Sequence, residues 1–209
     1  MPTPVQVAII YYSATGTVHS LATTAADEAG TIDGAEVRLR KVRELAPPEA
    51  IASNEAWQAH VDTTQDIEEA TLDDLEWADV VLFGTPTRYG LPTAQLKQFI
   101  DTSGPLWQQG RLVNKVVSSF GASATAHGGQ ETTLVALNNT FYHWGCVIVP
   151  PGYADPIQFQ SGNPYGTTHV GGAPDQPLPG EIQLTAMRFQ TRRTVQIGQA
   201  LLRGGMGRS

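Results

Sequence analysis

The run Val80–Gly84 opens with four apolar residues, Val80-Val81-Leu82-Phe83, and so has no polar face to show to water. A strand of that kind is stable only between two layers of helix, which commits the chain to a parallel α/β sheet covered on both sides. Four other strand-like runs, Val5–Tyr12, Ala35–Val42, Val116–Phe120 and Val147–Pro150, recur along the chain with helical spacing between them. In the first gap Leu21, Ala22, Ala25, Ala26 and Ala29 share a helix face, and Gly30 offers a stop. Asp73–Ala78 reads as a short acidic helix with Trp77 turned toward the sheet. Leu91–Thr102, Gln130–Trp144 and Glu181–Arg203 supply the remaining helices. Five strands joined by right-handed crossovers predict a doubly wound parallel sheet in the order 2-1-3-4-5. In such a sheet the ligand lies outside the carboxyl ends of the strands, so the loops after the first, third and fourth runs are the place to look.

The 209 residues fit a single domain with long loops near 45–71 and 151–179, the first carrying a short helix. The second of these is rich in Gly, Pro, Asn and Gln and has almost no period, while Tyr153, Phe159 and Tyr165 favour ordered packing for it. A formal charge of -7 opposes a nucleic-acid groove, which needs clustered Lys and Arg. The densest basic stretch, Arg38–Arg43, alternates with apolar residues and reads as a strand. One cysteine, Cys146, rules out an internal disulfide and a multi-cysteine zinc site, and reads as a buried inert thiol. The acidic residues between Asp62 and Asp79 read as a solvated face rather than a metal cluster, and no metal is expected. No apolar stretch is long enough to span a bilayer, so a soluble cytoplasmic protein is expected. His19 and His60 carry no functional signal, and His169 reads as a surface residue of the long loop.

The chemistry concentrates in three loops. Ser13-Ala14-Thr15-Gly16-Thr17-Val18 joins the first strand to the first helix, where hydroxyls, backbone N–H groups and the helix dipole converge on an anion. The loop has no Gly-Lys-Ser/Thr and no Gly-x-Gly-x-x-Gly, which excludes a nucleoside-triphosphate P-loop and a dinucleotide fingerprint. A lysine-free, hydroxyl-rich cradle suits a phosphate monoester such as that of flavin mononucleotide (FMN). After the third strand comes Gly84-Thr85-Pro86-Thr87-Arg88-Tyr89-Gly90, a rigid loop able to wrap a planar heterocycle. After the fourth comes Gly121 to Glu131, again small and hydroxyl-rich before a helix. The ends of the first and third strands carry Tyr12-Ser13 and Gly84-Thr85 where a phospho-acceptor signalling domain needs acids, which excludes that function.

The pieces Tyr11-Tyr12-Ser13, Phe83 to Gly90, Gly104-Pro105-Leu106-Trp107, Gly128-Gly129-Gln130-Glu131 and Val147 to Pro150 resemble, in order, the WrbA family of flavodoxin-like NAD(P)H:quinone oxidoreductases. Gly162-Asn163-Pro164-Tyr165-Gly166-Thr167-Thr168, followed by Gly171-Gly172, is similar to a loop of that family. The resemblance implies a flavodoxin-like fold, non-covalent FMN, NADH or NADPH as hydride donor, a small-molecule quinone as acceptor and a homotetramer. It further implies that Ser13, Ala14, Thr15, Gly16, Thr17 and Val18 hold the phosphate. Pro86, Thr87, Arg88 and Tyr89 would line the isoalloxazine, and Ser123, Ala124, Thr125, Ala126, His127 and Gly128 would continue that wall. His143 would reach the flavin, from this or a neighbouring subunit, and Trp107 would wall the substrate pocket.

No side chain is expected to act as an obligatory acid or base, because the cofactor performs the hydride chemistry. Two departures from the family pattern bear on the donor. Thr15 stands where an aromatic residue near the nicotinamide is common, and Ala124-Thr125-Ala126-His127 replaces a Gly- and Thr-rich stretch. The competing function is a one-electron carrier of the flavodoxin type, which would flank the flavin with acidic residues and has no need of the 151–179 segment.

Overall fold

The computed structural model describes residues 4–171 and 178–206. The strands are β1 (Val5–Tyr11), β2 (Ala35–Lys41), β3 (Val80–Pro86), β4 (Val116–Ser123), β5 (Val147–Ile148) and β6 (Thr168–Val170). The first five pair in the order β2-β1-β3-β4-β5, all parallel, as the rhythm of apolar runs predicts.

The period-two alternation of strand side chains sorts the core into two layers. Val5, Val7, Ile9 and Tyr11 of β1 and Val80 and Leu82 of β3 face α1 (Thr17–Gly30) and α9 (Glu181–Arg203). Ala8, Ile10, Val81 and Phe83 face the opposite layer of α4 (Leu72–Trp77), α5 (Ala94–Asp101), α6 (Gly104–Gln108) and α7 (Gln130–Trp144). In that second layer Phe83, Phe141 and Trp144 make a three-ring cluster with centroids 5.2–6.1 Å apart. Cys146 is half-buried beside it; burial pushes its thiol up to about 12, so it stays protonated, as the inert-thiol reading requires.

The sequence expectations fail in four places. The stretch 45–71 holds two helices, α2 (Pro48–Ala52) and α3 (Glu55–Thr63), where one short helix in a loop is expected. Asn54 explains α3: its side chain accepts a hydrogen bond from the Trp57 N–H at 3.1 Å and caps the helix. Within 151–179 lie α8 (Pro156–Ser161) and the three-residue β6, too short to leave a period. The acids are not all solvated, because Asp74 is buried against Arg38 and Arg40 at 3.0 and 3.1 Å. His169 is buried on β6 rather than lying at the surface. Tyr153 and Phe159 stack on each other with centroids 4.9 Å apart while staying exposed, and Trp77 carries the Arg38 guanidinium 4.0 Å above its ring.

β6 adds to the same edge of β4 as β5, higher up: β5 pairs with Val116 and Val117, and β6 with Gly121, Ala122 and Ser123. The motif from Gly162 to Thr168 builds this docking. Asn163 accepts from the Tyr165 N–H and donates to Thr168 Oγ1, both at 3.1 Å. A Cβ on Gly166 would stand 2.0 Å from the Ser119 carbonyl oxygen, so only glycine lets the chain lie this close to β4. From α9 the buried Gln190 accepts the Thr167 N–H at 2.7 Å and donates to Ser118 Oγ and the Ser119 carbonyl, both at 2.8 Å.

Candidate functional site

The loops after β1, β3 and β4 converge at the carboxyl ends of the strands and enclose a cavity of about 680 Å³, within the ordinary range for a small-molecule site. Of the residues singled out in the sequence, Ser13, Ala14, Thr15, Thr17, Val18, Pro86, Thr87, Arg88, Tyr89, Ser123, Ala124, Thr125 and Gly128 line it. Arg88 is the one charged side chain among the described residues of that lining.

Gly16 caps α1 with φ +96°, a left-handed conformation that few other residues adopt without strain. Its N–H donates to Ser13 Oγ at 3.1 Å, which folds the loop back over the helix start. The first turn of α1 contains no acidic residue to oppose an anion there. On the far wall, besides the one its carbonyl accepts from Arg88 Nη1 at 3.0 Å, three hydrogen bonds brace Thr87. Its N–H donates to the Ala122 carbonyl at 2.8 Å, and its hydroxyl oxygen accepts from the Gly90 N–H at 3.1 Å and from Thr133 Oγ1 of α7 at 2.7 Å. Tyr89 holds φ +55° and stands fully exposed at the rim, a strained and unburied position for a large ring. Ser123 donates to the Thr125 carbonyl at 2.7 Å, and a Cβ on Gly128 would stand 2.8 Å from Ser123 Cβ. The third wall is thereby tightly set.

Five remaining positions stand elsewhere. Gly16 shapes the loop without lining the cavity, and Ala126 and His127 sit exposed in the turn beyond it. His143 lies away from the cavity, on α7, in a groove it shares with Trp107 of α6, Lys97 and Trp144. There the Trp107 indole N–H donates to the His143 carbonyl at 2.9 Å while its ring remains half exposed.

Sequence reasoning missed Asn54, Trp57 and Gly171 as cavity residues, while Ala122 belongs to the loop from Gly121 that it pointed to. Gly171 arrives because its N–H donates to the Ser123 carbonyl at 2.9 Å at the end of β6, whereas Gly172 of the same motif lies outside the described residues. Trp57 arrives on α3, whose Asn54 cap was the available signal. Beside Gly16, His60 of α3 faces His19 of α1. Burial, with the charges of His19 and Lys41 adding to it, pushes the His60 imidazole down to about 4. Burial and Lys41 lower His19 as well, and His19 Nδ1 shares a 2.7 Å hydrogen bond with the Tyr11 hydroxyl.

The arrangement fits a phosphate monoester attached to a flat ring: hydroxyls and a helix N-terminus at one end, and backbone-braced walls with little charge at the other. Among the described residues no cluster of His, Cys, Asp or Glu could hold a metal ion, and no helix is long and apolar enough to cross a membrane.

Residues 5–159 match the family described as NADPH-dependent FMN reductase. A protein of Deinococcus radiodurans named NAD(P)H dehydrogenase (quinone) is 48% identical over 203 residues, 97% of this chain and 100% of that one. A Geobacter sulfurreducens protein of the same name is 38% identical over 205 residues, 93% of this chain and 98% of that one. In three dimensions the chain is similar to a flavodoxin described as WrbA-like from Agrobacterium tumefaciens, with a TM-score of 0.62, 20% identity and 94% and 98% of the two chains covered. An archaeal flavodoxin superposes with a TM-score of 0.57 at 13% identity, covering 92% and 99%. These two establish a flavodoxin-like fold.

Proposed function

The chain belongs to the NADPH-dependent FMN reductase family, and from that premise we infer that it is an FMN-dependent NAD(P)H:quinone oxidoreductase, reducing quinones by two electrons to hydroquinones. The observation that carries this reading is the convergence of three ligand-type loops on one cavity of about 680 Å³ with a single charged side chain in its described lining. FMN, when bound, supplies the hydride-accepting and hydride-donating chemistry.

The chain's own residues bind, orient and leave room. Ser13, Thr15 and Thr17, with the N–H groups at the start of α1, hold the phosphate, and Gly16 lets the loop close over it. Pro86, Thr87, Arg88 and Tyr89 form one wall for the ring, and Ser123 to Gly128 the other. Because Thr87 is locked to Ala122 and Thr133, the wall needs no rearrangement when a ring enters. Arg88 brings one positive charge to the site, favouring an anionic ligand over a cationic one. The mouth stays open, so a nicotinamide and then a quinone can take turns at the same face.

His143 and Trp107 line a separate groove rather than this cavity, and they would join the site as a neighbouring subunit's contribution. A homotetramer is therefore part of the proposal, supported by the exposed rings of Trp107, Tyr142, Tyr153 and Phe159. The whole chain is read as one domain working in the cytoplasm.

The test is a visible absorption spectrum of the protein mixed with FMN, followed by anaerobic NADH and then benzoquinone. The reading predicts bleaching of the flavin band without a one-electron species, then recovery with quinone. Flavin that binds but is not reduced by the nicotinamide would instead indicate an electron carrier. No flavin binding would remove both functions.

A further inference from the structure

Trp57 is a large ring on a helix that buries none of its residues, yet it lines the cavity. Two restraints hold it there. The Asn54 cap fixes its backbone, and its indole N–H donates to Glu44 Oε2 at 3.3 Å. Glu44 is itself held from four further directions: the Tyr12 hydroxyl at 2.8 Å, Gln95 Nε2 at 2.7 Å and the N–H groups of Leu45 and Ala46 at 2.8 and 2.9 Å. A carboxylate bound by the residue that follows β1, by α5 and by its own loop as well as by Trp57 is more than an incidental partner for a surface indole. Its rigidity is passed to the ring. Elsewhere in the lining, Thr15 of the first loop offers no flat surface, and Tyr89 is fully exposed at the rim.

We propose that Trp57 is the stacking surface of the site, that an electron-poor planar ring lies against its indole, and that Glu44 is the residue that positions it. This rests on the function inferred above, whose ligands share that ring chemistry: the isoalloxazine of FMN, the nicotinamide and the quinone. An electron-rich indole pairs well with any of them, and such stacking contributes about 1 kcal/mol or more, roughly fivefold to tenfold in affinity.

The experiment uses the full chain loaded with FMN, in wild-type form and as Trp57→Leu, Trp57→Phe and Glu44→Gln, with folding checked by circular dichroism. FMN affinity is measured by flavin fluorescence. NAD+ and duroquinone are titrated into the oxidised holoprotein by difference absorption, and kcat and KM are measured in parallel. If the stacked ring belongs to the cofactor, Trp57→Leu weakens FMN about fivefold to tenfold. If it belongs to an incoming substrate, FMN affinity holds, while the NAD+ or duroquinone affinity falls by that factor and KM rises with kcat nearly unchanged. In both cases Trp57→Phe restores most of the loss and Glu44→Gln reproduces part of it. All affinities and KM values of Trp57→Leu staying within twofold of wild type would overturn the proposal. A wild-type chain that takes up no FMN would overturn the functional reading itself, an outcome visible before any variant is made.

Discussion

The imidazoles of His19 and His60 face one another with ring centroids 5.2 Å apart, tying the start of α1 to α3 beside the first loop. Both are held below the ordinary histidine range, His60 at about 4, by burial first and then by neighbouring positive charge. A histidine that is harder to protonate when folded contributes stability that is complete above its unfolded value near 6.5 and is lost as pH falls toward 4. His60 is only half-buried, so solvent screening reduces the effect to about 1 kcal/mol. Urea denaturation at pH 7 and at pH 4.5 should show that loss, and His60→Gln should show much less of it. A variant as acid-sensitive as wild type would place the cause elsewhere.

Ser13→Ala combined with Thr17→Ala should weaken FMN by about 2 kcal/mol or more, some thirtyfold in Kd, if these hydroxyls hold the phosphate. Riboflavin, which lacks the phosphate, should bind the variant and the wild type alike. Equal losses for both flavins would mean that the loop supports the ring rather than the phosphate.

Gln190→Leu should cost about 2–4 kcal/mol, because the Thr167 N–H, Ser118 Oγ and the Ser119 carbonyl lose a buried partner together. The damage should be local at first. Amide exchange should speed up in residues 163–171 at denaturant concentrations where α1 remains protected, and uniform exchange across the chain would contradict it.

Burial works to raise the Asp74 carboxyl, yet hydrogen bonds from the Thr71 amide and hydroxyl and from Arg38, with the charge of Arg40, hold it below the usual carboxylate range. The stability it contributes is present at neutral pH and is lost as pH falls through that lowered value. Asp74→Ala should cost about 2–3 kcal/mol by removing the N3 half of the α4 capping box and leaving Arg38 without its carboxylate and Arg40 with Glu68 alone. Thermal denaturation at pH 7 measures this, and a melting temperature equal to wild type would refute it.

The parts legible in the sequence were those with a repeating physical signature. Val80 to Phe83 could be stable only in a covered strand, and Leu21 to Ala29 only on a helix face, so sheet order and layers followed. Ser13 to Val18, Pro86 to Tyr89 and Ser123 to Thr125 were legible because the topology requires ligand loops at the ends of β1, β3 and β4. Trp57 and Gly171 were not, since each reaches the cavity through contacts made far away in sequence or by a strand of three residues. The burial of His169 was invisible for the same reason: β6 exists only because β4 has an edge to receive it.

That edge has a consequence for how the molecule assembles. Between them, β5 and β6 cover both ends of the outer edge of β4, and an uncovered edge of this kind invites pairing with another chain. The upper cover is synthesised 47 residues after the backbone it protects, as the register of Gly121 with Thr168 shows. Until residues 163–170 dock, the nascent chain carries an open edge next to the loop that is to wall its ligand cavity. Aggregation risk during folding and maturation of the binding site are thus closed by one late event, and ligand present at that moment should favour its completion.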